Sequence, residues 1–244
     1  MMNKKILFIA GASSDVGTGL IKNCYMNYDL IYAHYNRTSA GLEEIKEQLG
    51  DRLKLFKADL LKMDDTLELI EEIKNTGEMP THFLHLPSAK YENYKFKKAK
   101  WDRFENDINI QLRSAVVLLN AFLPEMSKNR YGKIVLMLSS VISDNAPKYL
   151  SSYVTVKYAL LGLMKSLASE YADKSICING ISPCMMETKL LSEVSDIVIQ
   201  QNASSNPAGR NACVDDVIPA IEFLLSQDSD FITGQNIVIS GGGK

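Results

Sequence analysis

The 244-residue chain has no apolar run approaching the roughly eighteen residues that span a bilayer, which excludes a helical membrane crossing. Cysteine is sparse. Cys24, Cys177, Cys184 and Cys213 are scattered and form no C-x-x-C pair, so neither a disulfide framework nor zinc is expected, and no metal is assigned. Neither sign of charge dominates: 27 Lys and Arg against 29 Asp and Glu leave a formal net charge of -2. That balance excludes the strong positive field of a bulk nucleic-acid binder. No linker, low-complexity tract or internal repeat breaks the chain, and residues 1–244 are read as one domain. "MMNKKILFIAGAS" places two lysines before an apolar stretch, as a secretory leader does, but the stretch is short and runs into a glycine turn. It reads as a first strand, and the expected setting is a reducing cytoplasm.

What is present is alternation. "KKILFIA", "DLIYAHY", "RLKLFKADL", "THFLHLP", "GKIVLMLSS", "SICINGIS" and "QNIVIS" are short apolar runs, each separated from the next by a stretch with helical spacing. Parallel neighbours need a crossover helix, so the pattern predicts an α/β fold: a doubly wound, Rossmann-like, seven-stranded parallel sheet in a three-layer sandwich. Two segments escape the pattern, 88 to 107 and 186 to 212, and both follow strands on the sheet edge where such folds bind ligands. The second is read as a substrate-loop insertion, with Met185, Met186, Leu190, Leu191 and Val194 as an apolar wall or as packing against the sheet.

The first strand ends in "AGASSDVGTGL", where Gly11 and Gly17 bracket a turn of small residues that opens a helix. Small residues let backbone approach a pyrophosphate, and the helix N-terminus supplies free N–H groups. A tight strand-helix turn would also want glycines. The acid expected about twenty positions later on an NAD ribose is absent. "AHYNRTS" offers Arg37 and Thr38 instead, groups suited to a 2′-phosphate.

"SSYVTVKYALLGLMKSLASEY", residues 151 to 171, reads as a long helix with Leu160, Met164 and Leu167 on its apolar stripe. Lys157 falls on that stripe, where an ammonium is costly unless its charge is held. Tyr153 lies one turn before it, so the ammonium can favour ionisation of the phenol. Ser139 and Ser140 end a strand on the same sheet edge, thirteen and more residues earlier. A nicotinamide, a hydroxyl and an acidic phenol together describe carbonyl reduction.

With these residues in hand, the chain resembles the short-chain dehydrogenase/reductase family over essentially its full length. The Tyr-x-x-x-Lys pair, the serine before it, the Asn-x-x-x-Pro of "INGISP" and the closing "FITGQNIVISGGG" carry the likeness. The resemblance implies NADP(H) as cofactor, Tyr153 as acid/base, Lys157 as the residue that lowers its pKa and holds the nicotinamide ribose, and Ser140 as the residue that orients the substrate carbonyl. It places Asp59 at the adenine and Thr188 at the nicotinamide, with Arg37 and Thr38 around the 2′-phosphate. Ser13, Ser14, Asp15, Val16, Asn36, Leu60, Pro87 and Pro183 complete the implied cofactor contacts.

The chain also departs from that family. Asp15 stands where a third glycine is usual, with capping of the first helix as the role open to its carboxylate. "HLPS", His85 to Ser88, replaces Asn-Asn-Ala-Gly, Cys184 replaces the glycine after Pro183, and Gln111 occupies the position of the catalytic asparagine. The resemblance implies a small-molecule carbonyl or alcohol substrate, with a carrier-bound 3-oxoacyl thioester as the nearest pattern. It also implies a homotetramer, or a homodimer, built on helices 111 to 127 and 152 to 172. Lys95, Lys97, Lys98 and Lys100 read as a solvated face, with an acidic carrier protein as the alternative; Arg130 and Lys174 lie where carrier-dependent members are basic. A dinucleotide-binding sensor with little turnover is the rival reading.

Overall fold

The computed structural model describes residues 4–90, 92–143, 146–192 and 194–243. Seven parallel strands, β1 (Ile6–Ala10), β2 (Leu30–Tyr35), β3 (Leu53–Lys57), β4 (His82–His85), β5 (Gly132–Met137), β6 (Ile176–Pro183) and β7 (Asn236–Ile239), form one sheet in the order β3-β2-β1-β4-β5-β6-β7. Strand order reverses between β1 and β4, which opens a crevice at their C-terminal ends. Every strand read from the sequence is present.

The helices are α1 (Asp15–Cys24), α2 (Ala40–Leu49), α3 (Met63–Asn75), α4 (Trp101–Asp107), α5 (Ser114–Asn129), α6 (Ser151–Glu170), α7 (Asp196–Ser205) and α8 (Val214–Leu225). Successive strand residues point to opposite faces, so the sheet divides the core in two. Phe8, Tyr32 and Phe83 stand side by side in register and pack under α3, α5 and α6, with Phe122 of α5 at 5.2 Å from the Phe8 ring. Leu7, Ile9, Ile31 and Leu84 face the other way, under α1, α2 and α8. Strands buried on both faces explain why their sequences read as continuous apolar runs. Asn179, the asparagine of "INGISP", is fully buried. Its amide donates to the Ile232 carbonyl at 2.8 Å and accepts from the Gln235 N–H at 3.0 Å, fixing the approach to β7.

The two segments without periodicity are structured. Residues 101 to 107 form α4, which runs through a π turn (Ile108–Arg113) into α5, so the helix predicted to begin at 111 begins one helix earlier. "WDRFEND" carries charge around its whole circumference and shows no apolar period; its helix is held by packing on α6 and by Arg103 paired with Asp107 one turn on. The loop after β6 contains a 3-10 turn (Lys189–Leu191) and α7, and Asn211 ties it together through Glu187 Oε1 and the Ile199 carbonyl, both at 3.1 Å. No described helix is long and apolar enough to cross a membrane.

Candidate active site

A cavity of about 1080 Å³ follows the C-terminal edge of the sheet, lined by the turn after β1, the ends of β2, β4, β5 and β6, the start of α6 and the loop before α7. At one end is the glycine turn. Gly11 takes a φ of +77°, which a side chain rarely adopts, and a Cβ on Gly17 would lie 2.5 Å from the Ala12 carbonyl oxygen. Ser14 caps α1: its hydroxyl accepts from the Gly17 N–H at 3.2 Å and donates to the Gly11 carbonyl at 2.8 Å. Asp15 therefore does not cap the helix. Its carboxylate accepts from the Lys189 N–H at 2.8 Å and pairs with the Lys189 ammonium at 3.4 Å.

His34 supports this turn from below, a role no sequence signal revealed beyond its place at the end of "LIYAH". Its Nδ1 accepts from the Gly11 N–H at 3.0 Å, so its Nε2 carries the proton and donates to the Ala58 carbonyl at 3.1 Å. Burial lowers its pKa to about 4. Asn36 donates to Asp59 Oδ1 at 3.3 Å, and Asp59 also accepts from the Leu61 N–H at 3.1 Å. Arg37 and Thr38 are exposed at the same rim; Ser13, Val16, Leu60, Pro87, Pro183 and Thr188 line the cavity between the rim and α6.

At the other end Tyr153 and Lys157 face the cavity from α6. Lys157 is 2% exposed, and its ammonium donates to the Met137 carbonyl at 2.8 Å and lies 5.5 Å from the Tyr153 ring centroid. The lysine on the apolar stripe is thus held by the C-terminal end of β5. Burial lowers its pKa to about 7, against the pull of the Asp107 carboxylate. In the chain alone the Tyr153 pKa is raised rather than lowered: burial is the largest influence, the Asp107 charge adds to it, and a hydrogen bond with the Ser139 hydroxyl opposes both. Ser139 caps the 3-10 turn Ser140–Ile142, which turns Ser140 toward the cavity as a second, half-buried hydroxyl.

Two of the departures from the family pattern, His85 and Gln111, are buried beneath these residues. His85 Nε2 lies 3.0 Å from Ser114 Oγ, which must donate to the Ile110 carbonyl at 2.6 Å, so His85 is the donor to Ser114. Burial, with the Lys157 charge, pushes the His85 pKa down to about 3. Gln111 is brought under the site by the π turn, a feature frequent at functional sites. It is fully buried, with both amide atoms unpartnered among the described residues.

Residues 13–244 match the family model described as Enoyl-(Acyl carrier protein) reductase. The chain is 28% identical to a 3-oxoacyl-(acyl-carrier-protein) reductase of Buchnera aphidicola over 99% of its own length and 98% of the relative's. It is 26% identical to an acetoacetyl-CoA reductase of Allochromatium vinosum, covering 98% of both chains. A gluconate 5-dehydrogenase of Burkholderia cenocepacia, solved with NADP and tartrate, superposes with a TM-score of 0.88 at 21% identity, over 99% of this chain and 95% of that one. The chain belongs to the short-chain dehydrogenase/reductase family of oxidoreductases.

Proposed function

We propose that the protein is an NADPH-dependent carbonyl reductase whose substrate is a 3-oxoacyl thioester. The observation that carries the reading is one continuous cavity with the glycine turn, Arg37 and Thr38 at one end, and Tyr153, Lys157 and two serine hydroxyls at the other. The residues fit the cofactor: the turn leaves no room for side chains at Gly17, and the one acid facing it, Asp15, is neutralised by Lys189. Gly11, Ser13, Ser14 and Val16 would hold its phosphates, Arg37 and Thr38 the 2′-phosphate, Asn36, Asp59 and Leu60 the adenine end, and Pro87, Pro183 and Thr188 the nicotinamide end. When bound, the nicotinamide supplies the hydride.

The chain's own residues supply the rest. The Ser139 and Ser140 hydroxyls orient the substrate carbonyl toward α6. Tyr153 donates its phenolic proton to the carbonyl oxygen as the carbon takes up the hydride, so that C=O becomes CH–OH. The Lys157 ammonium would favour the phenolate that remains and hold the nicotinamide ribose, and Gln111, in the place of the family's asparagine, would alter the proton path or displace its water. Apolar residues of the 186 to 212 loop and of the turn after β5, among them Leu190, Leu191, Val194, Val198 and Val141, wall the outer cavity and suit an acyl chain. The thioester reading draws on two relatives whose names carry 3-oxoacyl substrates. Assembly as a homotetramer, or a homodimer, through α5 and α6 belongs to the same reading. A carrier protein would meet the exposed lysines at 95, 97, 98 and 100; Arg130 and Lys174 lie at the opposite end of the strands from this chain's own cavity.

The test is fluorescence titration with NADPH and NADH, followed by turnover on 3-oxoacyl thioesters, ketones and keto-sugars. Tyr153→Phe should abolish reduction and leave NADPH binding nearly intact. A Phe variant that still reduces carbonyls overturns the role of Tyr153, and a wild-type protein that binds NADPH without turnover on any class favours the sensor.

A further inference from the structure

The helix that carries Tyr153 and Lys157 starts without a cap of its own. α6 begins after Leu150, an apolar residue at the N-cap position that offers no acceptor, while the first N–H groups of a helix have no partner inside it. Another part of the chain supplies the acceptor. The Tyr94 hydroxyl, in the segment between β4 and α4, accepts from the Ser152 N–H at 3.3 Å and from the Ser151 hydroxyl at 3.4 Å. The Tyr94 backbone N–H donates to the Tyr149 carbonyl at 3.0 Å. One residue thus holds the last turn before α6 and the first turn of the helix together.

The backbone it holds is a strained one. Tyr149 has a φ of +72°, in the left-handed region that a bulky side chain seldom adopts and that persists only where the surroundings over-determine it. Leu150, next in the chain, is buried, while Tyr149 is half exposed and lines the cavity together with Lys148. Glu92 and Asn93, the two residues before Tyr94, line the same cavity; the Tyr94 side chain does not. Tyr94 therefore ties two lining segments to each other at the point where the helix begins. Tyr153 is the third residue of α6, inside the terminal turn where helices fray. Lys157 lies a turn deeper and is fixed separately, by the Met137 carbonyl at 2.8 Å. A hold on the first turn bears on the phenol more than on the ammonium.

We propose that Tyr94 is a positioning residue of this site: it caps α6 from another segment of the chain and so fixes the turn that carries Tyr153, with the strained Tyr149 beside it. The cap stands without the reductase reading, and only its link to turnover rests on it.

Two readouts on the full chain test this with Tyr94→Phe, which keeps the ring and removes the acceptor. The first needs no substrate and is amide hydrogen exchange followed residue by residue by NMR. The Ser152 and Tyr153 amides should exchange about fivefold faster in the variant, the size of a lost helix cap, with the amides beyond Leu160 unchanged. The second is kinetic. As the phenol leaves its working position kcat should fall about tenfold, with substrate KM little changed and NADPH still bound at one site per chain with wild-type affinity. A merely destabilising substitution would instead lose NADPH sites along with turnover. Unchanged exchange at Ser152 and Tyr153 overturns the cap, and an unchanged kcat overturns the positioning role. If the variant fails to fold, the wild-type chain decides: a protected Ser152 amide supports the cap, and one that exchanges as fast as a free helix end overturns it. A wild-type protein that turns over no carbonyl would sink the reductase reading while leaving the exchange result to decide the cap.

Discussion

Asp15, in the glycine turn after β1, is tied to Lys189, in the loop after β6, by a 2.8 Å hydrogen bond from its N–H and a 3.4 Å ion pair with its ammonium. Two loops 174 residues apart are thereby joined over the cofactor cleft. The carboxylate that would repel a pyrophosphate has a cation from the other loop beside it.

Lys189→Ala should therefore weaken NADPH binding several-fold, because Asp15 is left unanswered beside the phosphates. The pair is largely solvent-exposed, so its worth is on the order of 1 kcal/mol or less and shrinks with salt. In an Asp15→Asn background the same alanine substitution should cost much less. Fluorescence titration of the four proteins at two ionic strengths measures the coupling, and additive effects would show that the two side chains act independently.

Arg37→Ala should weaken NADPH far more than NADH. The guanidinium is exposed at the cleft rim beside Thr38, where it meets a 2′-phosphate and nothing on a bare ribose. Equal losses for the two nucleotides, measured in parallel titrations, would move the 2′-phosphate elsewhere.

Stability should fall steeply on mild acidification. His34, His82 and His85 are buried, and burial lowers their pKa values to about 4, about 3 and about 3. The unfolded chain takes up these three protons as the pH falls through about 6.5, while the folded chain refuses them until pH 4 or below. Between those values the unfolded state binds more protons, and each histidine removes about 1.4 kcal/mol per pH unit, roughly 4 kcal/mol per unit for the three at the limit. Asp107, whose pKa burial raises, offsets a small part. Denaturant melts at pH 7, 6 and 5 measure the slope, and a flat profile would mean that these imidazoles are protonated or hydrated in the fold.

Gln111→Met, close to a volume match, should raise stability by about 1 to 3 kcal/mol, since it removes a buried amide whose two polar atoms have no partner. Turnover should fall in the same variant if the amide serves the proton path. A lower Tm would show instead that the amide is bridged in solution and contributes to the fold.

The seven strands and their parallel sheet were legible in the sequence because strands buried on both faces must be apolar throughout, and each was separated by a helix-length spacer. Tyr153 and Lys157 were legible for a local reason: four residues on a helix place two side chains on one face whatever surrounds them. Gly11 and Gly17 were legible because only glycine meets the backbone demands of that turn, a positive φ at one and no room for a Cβ at the other.

The remainder is made of contacts between residues far apart in the chain, which no period records. Sequence places two serines at the end of β5, but the turn after it decides that Ser139 caps the 3-10 turn while both hydroxyls line the cavity. Local patterning reads Asp15 as a helix cap; Ser14 takes the cap, and Lys189 takes Asp15. Polar "WDRFEND" gives no hint that Asp107 is buried, because its burial comes from α6 crossing above it. The sequence by itself determined the alternation, the sheet and the tyrosine-lysine pair, all set by short-range periodicity and backbone sterics. Tertiary structure alone decided how that pair is held, since the burial of Lys157 and the Met137 carbonyl that receives its ammonium come from elements distant in the chain, which no local period records.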